Sequence, residues 1–198
     1  MTDPAARWAD LFADLEAQAD ELARAERAAE VETRTRGEVG RLTVHDRLRA
    51  AIGTSLRLSL AAGGPSGLAI RGTVRRTGSD WLLLEEDAGR EVLVATQHVV
   101  AVRGLSRLST PADFGSVVES RLTLRHALRG LARDRAAVRL HLAAAAGENA
   151  VLDATLDRVG ADFVEVAAHA PGEARRRREV REVALVPLSA LAAVQRSL

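Results

Sequence analysis

The densest set of chemically active side chains in this 198-residue sequence is a run of four arginines. Guanidinium groups bind phosphate and carboxylate oxygens through paired hydrogen bonds, so such a run could contact RNA, DNA or another anion. Glu173, Glu179 and Glu182 flank the run and reduce its local excess of charge. Two interpretations stay open, a solvated loop or a nucleic-acid-binding surface formed by Arg175, Arg176, Arg177 and Arg178.

Residues for catalysis or metal binding do not occur in a recognisable pattern. The chain has no cysteine, which excludes thiolate nucleophiles, thiolate metal sites and disulfides. Its five histidines lack the spacing of a metal site. The segment Gly63–Gly67 lacks the Lys-Ser/Thr of a phosphate loop, so we interpret it as a hairpin turn. We therefore expect a protein that is not an enzyme, with no cofactor and no metal.

Composition and charge indicate a folded protein with an uneven charge distribution. Hydrophobic residues make up 47% of the chain, aromatic residues only 3%, and the net charge is +1. Residues 1–40 hold five Arg against ten Asp and Glu (5 − 10 = −5), whereas residues 121–198 hold thirteen against nine (13 − 9 = +4). No signal-peptide pattern or membrane-spanning apolar run occurs, so we expect a cytoplasmic location without membrane contact.

Residues 1–40 have the spacing of one long amphipathic helix. Its apolar stripe is strongest at Trp8, Leu11, Leu15 and Leu22, while the opposite face is charged. A stripe this narrow needs a partner surface. We consider a short coiled coil between two chains, which would give a homodimer, or packing along the rest of the protein.

The remainder of the chain is an internal repeat. The stretch Gly78–Glu86 recurs as Gly160–Ala168, each a tight turn followed by a strand with an aromatic first residue, Trp81 or Phe163. Leu83 becomes Glu165 in the second copy, which indicates an outward position. In the first copy, Leu83 is then exposed, or covered by the N-terminal helix or by the second repeat.

Other segments recur with the same order. Leu56–Leu60 corresponds to Val138–Leu142, and Gly72–Thr77 to Asp153–Arg158. Val92–Val102 corresponds to Ala184–Val194, after ten extra residues in the second copy. Leu alternates with polar residues in Leu56–Leu60, which predicts a strand with one apolar face. Thr43 with Asp46 three residues on is a capping box for a short helix before this strand. Each copy therefore predicts a short helix and then five short strands.

A five-strand sheet of this size needs closure to hide its edges, so we expect two strongly bent five-stranded barrels. The predicted fold is mainly β with an N-terminal helix. The predicted divisions are the helix at 1–40, a first barrel at 41–104, a linker at 105–120 and a second barrel at 121–198.

This order of elements resembles the Sm-like and SH3-like small barrels, which include the bacterial RNA chaperone Hfq. The resemblance covers 42–103 and 122–196 and implies RNA contact through an aromatic at the start of the third strand. Trp81 and Phe163 stand at that position. A structural role in the barrel core is the alternative for both. The Lys-His pair of Hfq has no counterpart, since the matching segments read Ala95–His98 and Pro187–Ala190.

The whole chain also resembles a family of actinobacterial proteins, some of which carry the label Fis family transcriptional regulator. That resemblance implies a regulatory role. From these observations we expect a non-enzymatic binding or adaptor protein that contacts RNA or DNA through its basic second barrel. The alternative is a protein-interaction scaffold that dimerises through the N-terminal helix and binds no nucleic acid.

Overall fold

The computed structural model describes residues 18, 21–22, 24, 39–62, 67–87, 89–106, 122–143, 150–168 and 182–196. The chain forms two units, Met1–Leu42 and Thr43–Leu198. In the first unit, Gln18, Glu21, Leu22 and Arg24 are helical and exposed. Val39 is also helical and exposed, and Gly40 lies in a turn. The other residues of the predicted N-terminal helix, and residues 107–120 of the predicted linker, lie outside the described residues. The predicted domain boundaries stay predictions.

The second unit contains two repeats, each a short helix followed by five strands, as the sequence predicts. We call 43–106 the first repeat and 122–196 the second repeat. The first contains α1 (Val44–Arg49), β1 (Ser55–Leu60), β2 (Leu68–Thr77), β3 (Trp81–Glu85), β4 (Glu91–Ala95) and β5 (Val99–Arg103). The second contains α2 (Leu124–Asp134), β6 (Ala137–Leu142), β7 (Val151–Val159), β8 (Phe163–Ala168), β9 (Glu182–Pro187) and β10 (Leu191–Arg196).

Both repeats pair their strands in the same register. Thr73 lies opposite Glu85 in the first repeat, and Thr155 lies opposite Ala167 in the second. The bulge that interrupts each of these two strand pairs falls at the equivalent place, after Val74 or Leu156. The correspondence of Gly72–Thr77 with Asp153–Arg158 was therefore wrong by one residue.

The expectation of two closed barrels is also wrong. The ten strands form one open antiparallel sheet in the order β5-β1-β2-β3-β4-β10-β6-β7-β8-β9. Within a repeat, the fourth and fifth strands do not pair with each other. Instead β4 of the first repeat pairs with β10 of the second, with Leu93 opposite Val194. Pairing between repeats satisfies the backbone groups of two edges that barrel closure would otherwise have satisfied.

Two hydrophobic clusters lie on opposite sides of the β4–β10 pair. Val92, Val94 and Ala193 belong to the cluster of the first repeat, whereas Leu93 and Val194 belong to that of the second. Both faces of these two strands are therefore buried, which explains their nearly continuous apolar sequence. Leu83 is half-buried against the second cluster, so the second repeat covers part of this outward position.

The first helix begins with the capping box that its sequence predicts. Thr43 accepts a hydrogen bond from the Asp46 amide at 3.2 Å, and Asp46 accepts one from the Thr43 amide at 2.9 Å. The Thr43 hydroxyl and amide also lower the pKa of the Asp46 carboxyl. In the second helix His126 replaces this acid, and its Nδ1 accepts from the Thr123 amide at 3.3 Å.

Candidate nucleic-acid interface

A row of three arginines crosses the outer strands of the first repeat. Arg57 on β1 lies directly opposite Arg71 on β2 and Arg103 on β5. Residues opposite each other in an antiparallel sheet share a face, with their Cβ atoms about 5 Å apart. All three residues are exposed. Within the described part of the chain, no carboxylate forms an ion pair with any of them.

The second repeat carries a neutral row at the equivalent register. Arg139 lies opposite Asp153 and Gln195. Its guanidinium donates to both carboxylate oxygens of Asp153, at 2.9 and 3.1 Å, and this pairing raises the pKa of Arg139. The two rows therefore differ by three charges, since the first sums to +3 and the second to zero (+1 − 1). We refer to Arg57, Arg71 and Arg103 as the arginine row.

Trp81 is a structural residue that connects the two repeats. Its side chain is 6% exposed and belongs to the core cluster of the second repeat. The indole Nε1–H donates to the Leu122 carbonyl at 2.9 Å, and the neighbouring Asp80 accepts from the Leu124 amide at 2.6 Å. A base cannot stack on a ring that is buried in this way. The burial of Trp81 therefore agrees with a structural role in the core and not with contact to a nucleic acid.

Gly78 makes room for this contact. A Cβ atom at Gly78 would lie 1.9 Å from the Trp81 Nε1 and 2.3 Å from the Leu122 carbonyl oxygen. The turn that precedes β3 must therefore have a glycine at this position.

Phe163, the matching aromatic of the second repeat, is half-buried. A Cβ atom at Gly160 would lie 2.4 Å from its ring, so the ring folds back over its own turn. The ring remains partly accessible, and the possible contact with a nucleic acid stays a prediction for this residue.

Most of the remaining predicted site residues lie outside the described residues. Leu22 is exposed, and the other three residues of the predicted helix interface, Trp8, Leu11 and Leu15, lie outside the described residues. The same holds for the predicted nucleic-acid-binding run Arg175, Arg176, Arg177 and Arg178. The arginine row is not visible in the sequence, because its members come from three strands and become neighbours only through the strand register.

A pocket of about 310 Å³ lies between α2 and strands β3, β4 and β10. Trp81, Leu83 and Leu131 form part of its apolar wall. Two acidic and two basic side chains also line it, so its charge does not favour one sign of ligand: Arg76, Glu91, Asp134 and Arg196. The pocket therefore lies along the contact between the two repeats, and its lining does not form a site for an anion.

His141 on β6 has an unusual environment beside the arginine of the neutral row. Its Nδ1 is buried and has no hydrogen-bond partner among the described residues. Burial lowers the pKa of His141, and the charge of Arg139 lowers it further. Gln195, Asp153 and Glu86 act in the opposite direction. The imidazole is therefore held in its neutral form near neutral pH.

No protein-family model matches the chain, nor does any curated protein or solved structure. Within the described residues, no group of three or more His, Asp or Glu side chains could hold a metal ion. In the same part of the chain, no helix is both long and apolar enough to cross a membrane. The geometry of the sheet is therefore the basis for assigning a function.

Replacing Trp81 tests its structural role. We expect Trp81→Ala to lower the free energy of unfolding by about 3–5 kcal/mol, since a large buried side chain is lost. Trp81→Phe should cost about 1–2 kcal/mol, mainly through the missing hydrogen bond to Leu122. Urea unfolding measures both values. Phe163→Ala is the matched control and should cost clearly less, because that ring is only half-buried. Equal losses for both alanine variants would contradict the assigned role.

The environment of His141 predicts a loss of stability in mild acid. Its pKa is lowered in the folded chain, so the unfolded chain binds the proton more readily. The contribution of His141 to the free energy of unfolding is therefore fully present above the ordinary histidine pKa of about 6.5. It is lost as the pH drops towards the pKa of His141 in the folded chain. Urea unfolding at about pH 7.5 and about pH 5.5 measures the difference. His141→Gln should reduce this pH dependence, and an unchanged dependence would show that His141 does not cause it.

Proposed function

We propose that this protein is a non-enzymatic nucleic-acid-binding protein that contacts the phosphate backbone of RNA or DNA through its arginine row. The observation that carries the proposal is the set of three exposed guanidinium groups on adjacent strands, without carboxylate partners among the described residues. Like charges directly opposite each other in a sheet are destabilising, and a bound polyanion would relieve this repulsion.

The length of the row favours a chain of phosphates over a single small anion. Adjacent strands lie about 4.8 Å apart, so three neighbouring strands spread their guanidinium groups over about 10 Å. A single phosphate or sulfate is too small to contact all three groups. A nucleic-acid backbone presents successive phosphates, each of which an arginine can bind through two hydrogen bonds.

The proposed binding does not depend on the base sequence of the nucleic acid. Base readout needs hydrogen-bond contacts or stacking aromatics, and Trp81 is buried in the core. Contacts with phosphates alone give affinity that falls steeply with salt. The surface also differs from the one expected from the sequence, because it lies on the first repeat rather than on the second.

The likeness to Sm-like barrels and the regulatory role remain part of the proposal. The order of one short helix and five antiparallel strands supports the first of them. An open sheet with a shared strand pair replaces the closed barrels. The scaffold alternative rests on a helix interface of which Leu22 is described and exposed, whereas Trp8, Leu11 and Leu15 lie outside the described residues.

A binding titration tests the arginine row. Fluorescence anisotropy with labelled single-stranded RNA, single-stranded DNA and duplex DNA measures affinity over a range of salt concentrations. We expect the triple variant Arg57→Ala, Arg71→Ala and Arg103→Ala to lose about tenfold or more in affinity at moderate salt. The slope of log affinity against log salt should fall by about 2 for single strands, because three phosphate contacts are lost.

The control variant removes the same charge elsewhere in the two repeats. It replaces three arginines that already have carboxylate partners, so it should have little effect on binding: Arg75, Arg90 and Arg158. Equal loss in both variants would indicate that only net charge matters and would overturn the assigned surface. If replacing Arg175, Arg176, Arg177 and Arg178 with alanine abolishes binding while the row variant binds normally, this run of four arginines is the interface. Absence of binding at low salt overturns the function.

A further inference from the structure

The pocket beside α2 has walls from both repeats. One wall is the side of α2 that includes Ala127, Gly130 and Leu131. The opposite wall includes Leu83 on β3 and Leu93 on β4 of the first repeat. Its volume of about 310 Å³ lies at the lower end of the range of pockets that hold small organic molecules. The pocket is therefore large enough for a compact ligand.

The glycine in the helical wall is not required by the fold. Gly130 lies inside the helix Leu124–Asp134, where glycine is less favourable than alanine. Gly78 and Gly160 make room for aromatic rings, but a Cβ atom at Gly130 would have no described atom within 4 Å. Its backbone is helical, so it does not need a positive φ. A ligand that packs closely against the helix backbone accounts for a glycine at this position.

The strand wall of the pocket differs from the equivalent place in the second repeat. There Arg158 lies opposite Glu165, and the two side chains form an ion pair at 3.7 Å. In the first repeat Arg76 lies opposite Leu83 at the same register. Leucine in place of the acid gives the pocket an apolar floor, and it leaves Arg76 without an ion pair in the described part of the chain. A repeat can therefore hold charged residues at this place, and the apolar surface is specific to the pocket.

The charges around the pocket favour a ligand without net charge. Arg196 lies 3.9 Å from Glu91, so these two side chains form a pair of their own. Arg76 and Asp134 also line the pocket, and their formal charges cancel. A charged ligand would lose its hydration and meet as many charges of its own sign as of the opposite sign. An uncharged ligand can instead accept a hydrogen bond from Arg76 and donate one to Asp134.

We propose that this pocket binds an uncharged, largely apolar small molecule. The body of the ligand packs against Trp81, Leu83 and the helix backbone at Gly130, and its polar groups lie at the rim beside Arg76 and Asp134. Such a ligand contacts both repeats and binds only the folded chain, so it should raise the melting temperature. The arginine row does not line the pocket, and this proposal is therefore independent of nucleic-acid binding.

Two fluorescent dyes with the same ring system test the class of ligand. N-phenyl-1-naphthylamine is uncharged, whereas 8-anilino-1-naphthalenesulfonate has an added sulfonate, and both become brighter in apolar surroundings. The full, nuclease-treated chain is titrated with each dye at neutral pH. We expect the uncharged dye to bind in a saturable way, with one molecule per chain, and more tightly than the sulfonate. The uncharged dye should also raise the melting temperature of the chain.

Substitutions in the two walls locate the bound dye. Gly130→Leu fills the pocket and should weaken binding of the uncharged dye by about tenfold or more. The variant should remain folded, because the added side chain starts in open space and leucine favours a helix. Leu83→Glu introduces the residue of the second repeat into the floor and should weaken binding as well. Arg129→Leu is the matched control, since it adds a leucine to α2 at a residue that does not line the pocket. It should leave the affinity unchanged.

Four results would overturn the proposal. The first is the absence of saturable binding of the uncharged dye. The second is binding that both Gly130→Leu and Leu83→Glu leave intact, which would place the dye elsewhere on the chain. The third is tighter binding of the sulfonate, which would show that the pocket selects an anion. The fourth is loss of dye binding as the chain concentration rises, which would show that a second copy of the chain fills the pocket.

Discussion

The pairing of β4 with β10 is the interaction on which the rest of the second unit depends. A sheet of five short strands has two edges and one face that must be covered. Pairing the fourth strand of one repeat with the fifth strand of the other provides hydrogen-bond partners for the backbone groups of two edges at once. The same strand pair separates two hydrophobic clusters, and alternate side chains of β4 belong to each. Neither core is complete without the strand that the other repeat supplies.

The shared β4–β10 pair explains why equivalent residues of the two repeats have different surroundings. Trp81 at the junction is covered by Leu122 and α2, whereas Phe163 at the end of the sheet remains half-buried. The outer rows of charge differ for a related reason. Asp153 neutralises Arg139 beside the junction, but arginine replaces aspartate at Arg71 in the first repeat. Positions outside the cores are free to diverge, and here the divergence concentrates positive charge on one repeat.

Local sequence patterns predicted the elements well and their long-range pairing poorly. The alternation in Leu56–Leu60 predicted a strand with one buried face, and Thr43 with Asp46 predicted the helix cap, because both signals are local. The pattern could not show which strand β4 would pair with, since the paired strand β4 and the free edge strand β9 have similar apolar sequences. The arginine row was hidden for the same reason. Arg57, Arg71 and Arg103 are far apart in the chain, and only the register of three strands makes them neighbours.

The nearly continuous apolar sequence of the two junction strands was a signal that sequence reasoning could have used. A strand buried on one face alternates, whereas Val92, Leu93, Val94 and Ala95 are apolar without interruption, as strands buried on both faces are. The free edges keep this character, since Val99–Val102 and Val183–Val186 are equally apolar. Such sequences are unfavourable on strands that face water on one side.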